Sequence, residues 1–170
     1  MRSAGCLVVS FVALACCASV CLGDEIHNRQ VIRSMLDTNN SLRGSRGLKP
    51  HVLNVHLVKA AQDHAEFMAR TRSFSHYSNG GPSGRAGRHG FGAGVLENIG
   101  MGYGNVAHAF VGWRNSGGHW ASIVSGTTDA GFGYAKAADG TRYWVGVYGS
   151  PRGDTQRADL EAEVIPDAEG

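Results

Sequence analysis

Apolar residues recur at helical spacing in two early stretches of the chain. The first stretch begins at Asp24 or Glu25 and ends at Gly44, and its apolar residues follow mostly three- and four-residue steps. The second runs from about Leu53 to Arg70 and has one face formed by Leu57, Ala61, His64 and Met68. Both patterns predict amphipathic helices, with His64 as a core histidine.

The stretch that follows is rich in glycine. Ten glycines fall between Gly80 and Gly104, so we expect a long irregular loop there, without a regular element. Asn105 is a typical N-cap residue for a third helix, which carries Phe110 and Trp113 on one face and ends at Gly117.

Strand-like segments follow the helices. A short apolar turn from Trp120 to Val124 precedes the segments Gly131–Ala135 and Tyr143–Tyr148. Asp139-Gly140 between them is typical of a hairpin turn. This order predicts an α+β fold in which a small antiparallel sheet lies in a layered α-β-α sandwich.

The N-terminal segment has the features of a secretory signal peptide. Arg2 precedes an apolar run, and small residues follow before the first acidic pair. A membrane anchor and a lipidated cysteine are the alternatives for this segment. We therefore expect a secreted protein with a signal peptide over 1–23, a domain over 24–149 and an acidic, disordered tail over 150–170, without a transmembrane segment in the mature chain.

The positions of the cysteines and the charges exclude several classes of protein. The four cysteines are Cys6, Cys16, Cys17 and Cys21. If the signal peptide is removed, the mature chain has no cysteine for a disulfide or a thiol nucleophile. The tail carries six acidic residues against two arginines, and the basic residues of the domain do not cluster. We therefore expect no nucleic-acid partner.

Two histidines and one carboxylate are the candidates for chemistry. His76 follows the second predicted helix, His119 follows the third, and Glu97 lies in the glycine-rich stretch between flanking apolar residues. A carboxylate in such surroundings needs a partner. The three side chains could hold a divalent metal, hydrogen-bond one another, or act as general acid and base.

The chain resembles the CAP superfamily (cysteine-rich secretory, antigen 5 and pathogenesis-related proteins, also called the SCP domain), in a cysteine-free, bacterial-like form. The matching pieces occur in the family's order, and their joint spacing is specific. They include Asn39 with Arg43, Phe74-Ser75-His76, Arg85, Glu97-Asn98-Ile99-Gly100, Gly118-His119 and Gly131-Phe132-Gly133-Tyr134.

The resemblance implies a three-layer α-β-α sandwich with a central cleft. His76, Glu97 and His119 match three of the four cleft residues of animal and plant members, and Ser116 stands near the fourth, which is a glutamate there. Because that carboxylate is missing, a tight metal site is less expected. A divalent cation such as zinc would fall to His76 and His119, with no other cofactor expected.

Two further interpretations concern the same region. Ser116, His119 and Glu97 could be drawn as a hydrolase triad, although no nucleophile elbow is present; otherwise Ser116 caps a helix or bonds His119. Aromatic and apolar residues in or beside the loop could form the rim of an apolar groove; these are Tyr77, Phe91, Met101 and Tyr103.

These observations favour a non-enzymatic extracellular binding module for an apolar small molecule, such as a lipid or sterol, or for a cell-surface partner. Its ligand would contact the cleft residues His76, Glu97, His119, Ser116, Tyr77 and Tyr103. The alternative is a metal-dependent hydrolase, protease-like, that uses the two cleft histidines and a water held by Glu97. In a third interpretation, the polar trio only braces the loop.

Overall fold

The computed structural model describes the backbone of residues 12–152 and the side chains of residues 28–152. The helices are α1 (Val12–Gly44), α2 (Val55–Thr71), α3 (Gly81–Arg88), α4 (Val106–Arg114) and α5 (Gly117–Ile123), with a 3-10 turn at Ser78–Gly80. The strands are β1 (Val52–Leu53), β2 (Val95–Met101), β3 (Asp129–Lys136) and β4 (Arg142–Gly149).

The four strands form one sheet in the order β1-β3-β4-β2. β3 and β4 form the predicted hairpin, from the pair Asp129–Gly149 to the pair Lys136–Arg142. β2 is antiparallel to β4, whereas β1 pairs in parallel with the start of β3. The prediction of a small antiparallel sheet therefore holds for three strands, and β2 lies at one edge.

Helices cover both faces of the sheet, as the predicted three-layer sandwich requires. Alternate residues of a strand point to opposite faces, so Val145 and Val147 of β4 enter the core below α2, and Trp144 and Tyr148 enter the core on the other face. α3 also contacts the α2 side, while α1, α4 and α5 form the opposite layer.

Glycines in β3 let α2 approach the sheet closely. A Cβ atom on Gly131 would lie 2.1 Å from the carbonyl carbon of Leu57, and one on Gly133 would lie 2.3 Å from that of Ala61. No side chain fits at such distances, so the helix backbone packs directly on the strand. This approach fixes α2, and with it the residues that follow α2.

Side-chain caps define the starts of two helices. The Asn54 side chain accepts hydrogen bonds from the backbone N–H groups of His56 and Leu57 at the start of α2. Asn105 caps α4 as predicted, because its side chain accepts from the N–H of His108 at 2.9 Å.

Two predictions for the helices are wrong. The first helix already includes Val12, well before Asp24 or Glu25; its early alanines and leucine favour helix, and one glycine costs only about 1 kcal/mol. The apolar turn expected after the third helix is α5, which begins at Gly117.

The glycine-rich stretch also contains regular structure, contrary to expectation. Pro82 lies in the first turn of α3, where a proline is tolerated, and α3 buries Arg85 and Ala86. β2 forms because all seven of its residues pair with β4. Neither the burial of Arg85 and Ala86 nor the pairing of β2 with β4 is visible in the local composition.

The predicted signal peptide and acidic tail fall largely outside the described residues. Five cysteine and histidine side chains also lie outside the described residues. They are those of Cys6, Cys16, Cys17, Cys21 and His27. Among the described residues, no helix combines the length and hydrophobicity that a bilayer span requires.

Candidate functional site

Three parts of the fold bring His76, Glu97 and His119 together. His76 lies in the turn between α2 and the 3-10 turn, Glu97 in the middle of β2, and His119 in the first turn of α5. His76 Nδ1 lies 2.9 Å from Glu97 Oε1. The ring centroids of His76 and His119 are 6.4 Å apart and tilted by 43°. The expected juxtaposition is thus present; its use as a ligand site stays a prediction.

Two residues of the edge strand β2 contact the two histidines. Glu97 lies on the same face as Ile99, which enters the α2-side core, and its carboxylate is fully buried. Asn98 points to the other face, where its side-chain amide donates to the backbone oxygen of His119 at 3.0 Å. Neighbouring residues of one strand therefore position one imidazole each.

A buried arginine completes the site, and the sequence reasoning did not include it. Arg85 is 1% exposed and places Nη2 2.5 Å from Glu97 Oε2. Its guanidinium also donates to the backbone oxygens of Ser78 at 2.6 Å and His76 at 3.2 Å. The sequence predicted that the Glu97 carboxylate has a partner. It did not show which of the nearby basic residues is that partner.

Both oxygens of Glu97 are therefore used within the protein. Since the carboxylate accepts from Arg85 on one oxygen, His76 donates its Nδ1–H to the other. In that tautomer the Nε2 atom of a neutral His76 carries a lone pair. Glu97 thus orients the imidazole and compensates the charge of Arg85, instead of presenting a free carboxylate to a ligand.

The electrostatics keep His119 neutral. Burial lowers the pKa of His119, and repulsion from His76 lowers it further. His76 is more open, with 38% of its side chain exposed. Near neutral pH the site therefore presents an uncharged imidazole at His119.

His64 lies behind this site, as a core histidine should. Its side chain is completely buried. Burial lowers its pKa to about 4, while the negative charge of Glu97 opposes the shift. His64 therefore stays neutral at physiological pH.

The two imidazoles alone do not make a tight metal site. A tetrahedral zinc ion with bonds of about 2 Å would hold two imidazole centroids roughly 5 Å apart, which is closer than the 6.4 Å between His76 and His119. Within residues 28–152, no group of three or more histidine, cysteine, aspartate or glutamate side chains is placed to hold an ion. The donor set thus supplies two ligands, of which one is already oriented by Glu97.

Ser116 is not part of a hydrolase triad. It occupies the N-cap position of α5, but its side chain makes no capping hydrogen bond. No hydrogen bond joins it to His119 in the described part of the chain, and Glu97 bonds His76 instead of His119. Both the triad and the simpler capping role are therefore wrong for this geometry.

The expected aromatic rim is only partly exposed. Tyr77 is 86% exposed beside His76, and Met101 is 46% exposed at the end of β2. Phe91 is instead buried in the α2-side core. Tyr103 packs against Gly100 and Gly112 with the opposite core. Sequence reasoning missed two further exposed apolar side chains, Phe74 at 42% and Leu96 at 43%, which lie close to His76 and Glu97 in the sequence.

Comparison with known proteins identifies the family to which this chain belongs. Residues 36–148 match the sequence profile described as the cysteine-rich secretory protein family, CAP. Because the match covers more than half of the chain, the chain belongs to this family. No curated protein sequence matches the chain significantly.

Solved structures show the same fold. An outer surface protein from Borrelia burgdorferi aligns with a TM-score of 0.65 at 20% identity, over 71% of this chain and 92% of that one. An extracellular SCP-domain protein from Bacillus anthracis aligns with a TM-score of 0.64 at 23% identity, over 72% of this chain and 41% of that one. A cysteine-rich secretory protein from Staphylococcus aureus gives 0.58 at 20% identity, over 71% and 39%. At these identities the likeness shows the fold alone.

Proposed function

We propose that this CAP protein is a secreted, non-enzymatic binding module that holds an apolar small molecule, a fatty acid or a sterol, at the cleft of His76 and His119. One observation carries the proposal. The carboxylate of Glu97 has both oxygens bonded, to Arg85 and His76, while Phe74, Tyr77 and Leu96, close to His76 and Glu97 in the sequence, remain exposed. The site thus offers an apolar contact surface, and its carboxylate is not free to activate water.

The exposed apolar residues give the ligand its contact area. Phe74 and Tyr77 flank His76 in the chain, and Leu96 precedes Glu97 on β2. Exposed apolar groups gain roughly 25 cal/mol for each Å² that a ligand removes from water. An imidazole of the site can hydrogen-bond the hydroxyl of a sterol or the carboxyl of a fatty acid.

The expected export of the chain supports the same proposal. The apolar segment before Asp24 has the pattern of a signal peptide. Two proteins with this fold are described as an outer surface protein and an extracellular protein. A protein exported in this way meets lipids and cell surfaces directly.

Binding of a fluorescent fatty acid and a fluorescent sterol tests the proposal. We expect saturable binding that Tyr77→Asp and Leu96→Asp each weaken about tenfold, equivalent to ~1.4 kcal/mol. Val52→Asp is the matched control, because Val52 is 46% exposed but lies on β1 at the opposite edge of the sheet. Absence of saturable binding to either probe, or equal weakening by all three variants, would contradict the proposal.

Zinc titration by calorimetry separates the hydrolase alternative. That alternative requires stoichiometric zinc uptake that is lost in His76→Ala and His119→Ala, together with turnover abolished by Glu97→Gln. Since Glu97 is bonded to Arg85 and His76, we expect Glu97→Gln to act on stability.

A further inference from the structure

The outer edge of β2 carries main-chain groups that point away from the sheet. In an antiparallel pair, residues that bond each other alternate with residues whose N–H and C=O groups face outward. Gly102, one residue past β2, donates to the backbone oxygen of Arg142 at 2.9 Å and continues the register of β2 with β4. The even-numbered residues of β2 are therefore bonded to β4, and the odd-numbered residues face outward. The latter are Val95, Glu97, Ile99 and Met101.

One indole already occupies part of this outer edge. Trp113 Nε1 donates to the backbone oxygen of Ile99 at 3.1 Å, which agrees with the outward direction of the odd-numbered residues. Val95 and Glu97 precede that contact. In the described part of the chain, no hydrogen bond engages the outward N–H and C=O groups of these two residues.

The main chain of Glu97 is accessible to solvent although its side chain is not. The residue as a whole is half-buried, whereas its side chain is 0% exposed. The exposed surface of Glu97 therefore belongs to its main-chain atoms. Val95 is also half-buried, and Leu96 between them is exposed. Residues 95–97 thus form an accessible stretch of sheet edge, which we call the open edge.

We infer that the open edge binds an extended segment of another polypeptide, which adds a fifth strand to the sheet beside β2. Val95 and Glu97 present two N–H and two C=O groups, and an extended segment offers complementary groups at the same repeat, about 7 Å along a strand. Strand addition to a sheet edge is a general mode of peptide recognition. A fatty acid or a sterol has one polar end and cannot pair with all four groups. The inference therefore goes beyond lipid binding, and neither proposal requires the other.

The neighbouring side chains indicate what such a segment carries. His76 bonds Glu97 on one face of β2, and Asn98 holds the backbone of His119 on the other face. Leu96 shares the face of Asn98, because alternate residues of a strand point to the same side. Side chains directly opposite each other in paired strands interact. We therefore expect an apolar residue opposite Leu96 and a polar residue next to it, on the face of His76.

A second copy of this protein is a poorer occupant. The open edge is three residues long and ends before the contact of Trp113 with Ile99, so two copies would gain only a short ladder there. Stable interfaces between folded proteins bury about 1,200–2,000 Å², whereas a single extended strand fits a short edge without that contact area.

Hydrogen exchange of the purified protein, measured by nuclear magnetic resonance, tests the geometry of the edge. The Glu97 amide should exchange at least tenfold faster than the Asn98 amide, which bonds β4. Equal exchange of the two amides would overturn the inference, because the Glu97 N–H would then be protected within the fold.

Peptide selection tests the binding. A phage-displayed library of random heptapeptides is selected on the immobilised protein, and the tightest heptapeptide is synthesised. We expect saturable binding that slows exchange of the Glu97 amide at least tenfold. N-methyl groups on two peptide residues spaced by two should each weaken binding at least tenfold, because they remove paired N–H groups. An N-methyl group on the residue between them should change the affinity less than twofold.

Val95→Pro and Val95→Ala form a matched pair of variants. Both remove the valine side chain, but only Val95→Pro removes the outward N–H, and proline is tolerated at the first residue of an edge strand. Val95→Pro should bind the heptapeptide at least tenfold more weakly than Val95→Ala, with circular dichroism as the check of folding. If Val95→Pro does not fold, the N-methyl series on the unaltered protein decides the question.

Three binding results overturn the inference. They are the absence of any heptapeptide with saturable binding, equal affinity of Val95→Pro and Val95→Ala, and N-methyl effects without the two-residue repeat. A dimer in sedimentation that Val95→Pro dissociates assigns the edge to a second copy and also overturns it. Binding of the fluorescent fatty acid and sterol should be equal in the two variants, so the lipid proposal and this one fail separately.

Discussion

Replacing Glu97 by glutamine tests the buried charge pair behind the cleft. The substitution keeps the shape of the side chain but removes the charge that compensates Arg85. The Glu97 carboxylate is fully buried, and only 1% of the Arg85 side chain is exposed. Removing one partner of a buried ion pair costs about 3–5 kcal/mol, because the other charge is left uncompensated.

We expect a loss of about 3 kcal/mol for Glu97→Gln, at the lower end of that range. Arg85 keeps the backbone oxygens of Ser78 and His76 as acceptors, which reduces the cost. For a domain of this size the loss lowers the melting temperature by roughly 6–12 °C. Urea unfolding followed by tryptophan fluorescence measures the free energy of unfolding directly.

Two controls make the result specific to the buried pair. Asp139→Asn breaks the exposed ion pair with Arg72, whose side chains are about half exposed, and should cost far less than Glu97→Gln. The double variant Arg85→Met with Glu97→Gln should lose at least about 1 kcal/mol less than the sum of the single losses. A loss below about 0.5 kcal/mol for Glu97→Gln, or additive losses in the double variant, would refute the reasoning.

Two more predictions concern the core. Burial holds the pKa values of His51 and His64 at about 4, so below pH 6.5 the unfolded chain binds protons that the folded chain does not. Stability should therefore fall from pH 6.5 to about 4, by up to roughly 3 kcal/mol for each histidine. Unfolding of His64→Met across this range should show a shallower slope; an unchanged slope would contradict this. Gly131→Ala should prevent correct folding, because its Cβ atom would overlap the backbone of Leu57. Gly126→Ala is the control and should fold normally, because the space around Gly126 is open. Circular dichroism distinguishes the two variants, and a native-like spectrum for Gly131→Ala would be inconsistent with the structure.

The helices and the hairpin could be predicted because their signals are local. Three- and four-residue periodicity identified α2, and Asn105 marked the start of α4. β2 carries no such signal, because its stability comes from pairing with β4, more than 40 residues later in the chain. The α2–β3 contact was equally invisible, since the reason for Gly131 lies in the backbone of α2.

The candidate site was predictable in outline but not in its bonding. The isolated carboxylate Glu97 indicated a buried partner, yet Arg85 and Arg88 are close together and locally similar. Only the fold separates them, because Arg85 is buried against Glu97 while the more exposed Arg88 pairs with Asp63. Ser116 shows the opposite case, since nearness to His119 in sequence does not produce a hydrogen bond.

The central claim is that the two facing imidazoles contact an apolar ligand. Nuclear magnetic resonance of protein labelled in the histidine rings, titrated with a fatty acid and then with a sterol, measures this directly. We predict that the ring signals of His76 and His119 shift in a saturable manner, while those of His56 and His108 stay fixed. Unchanged signals for both cleft histidines, at ligand concentrations where binding is complete, would contradict the claim.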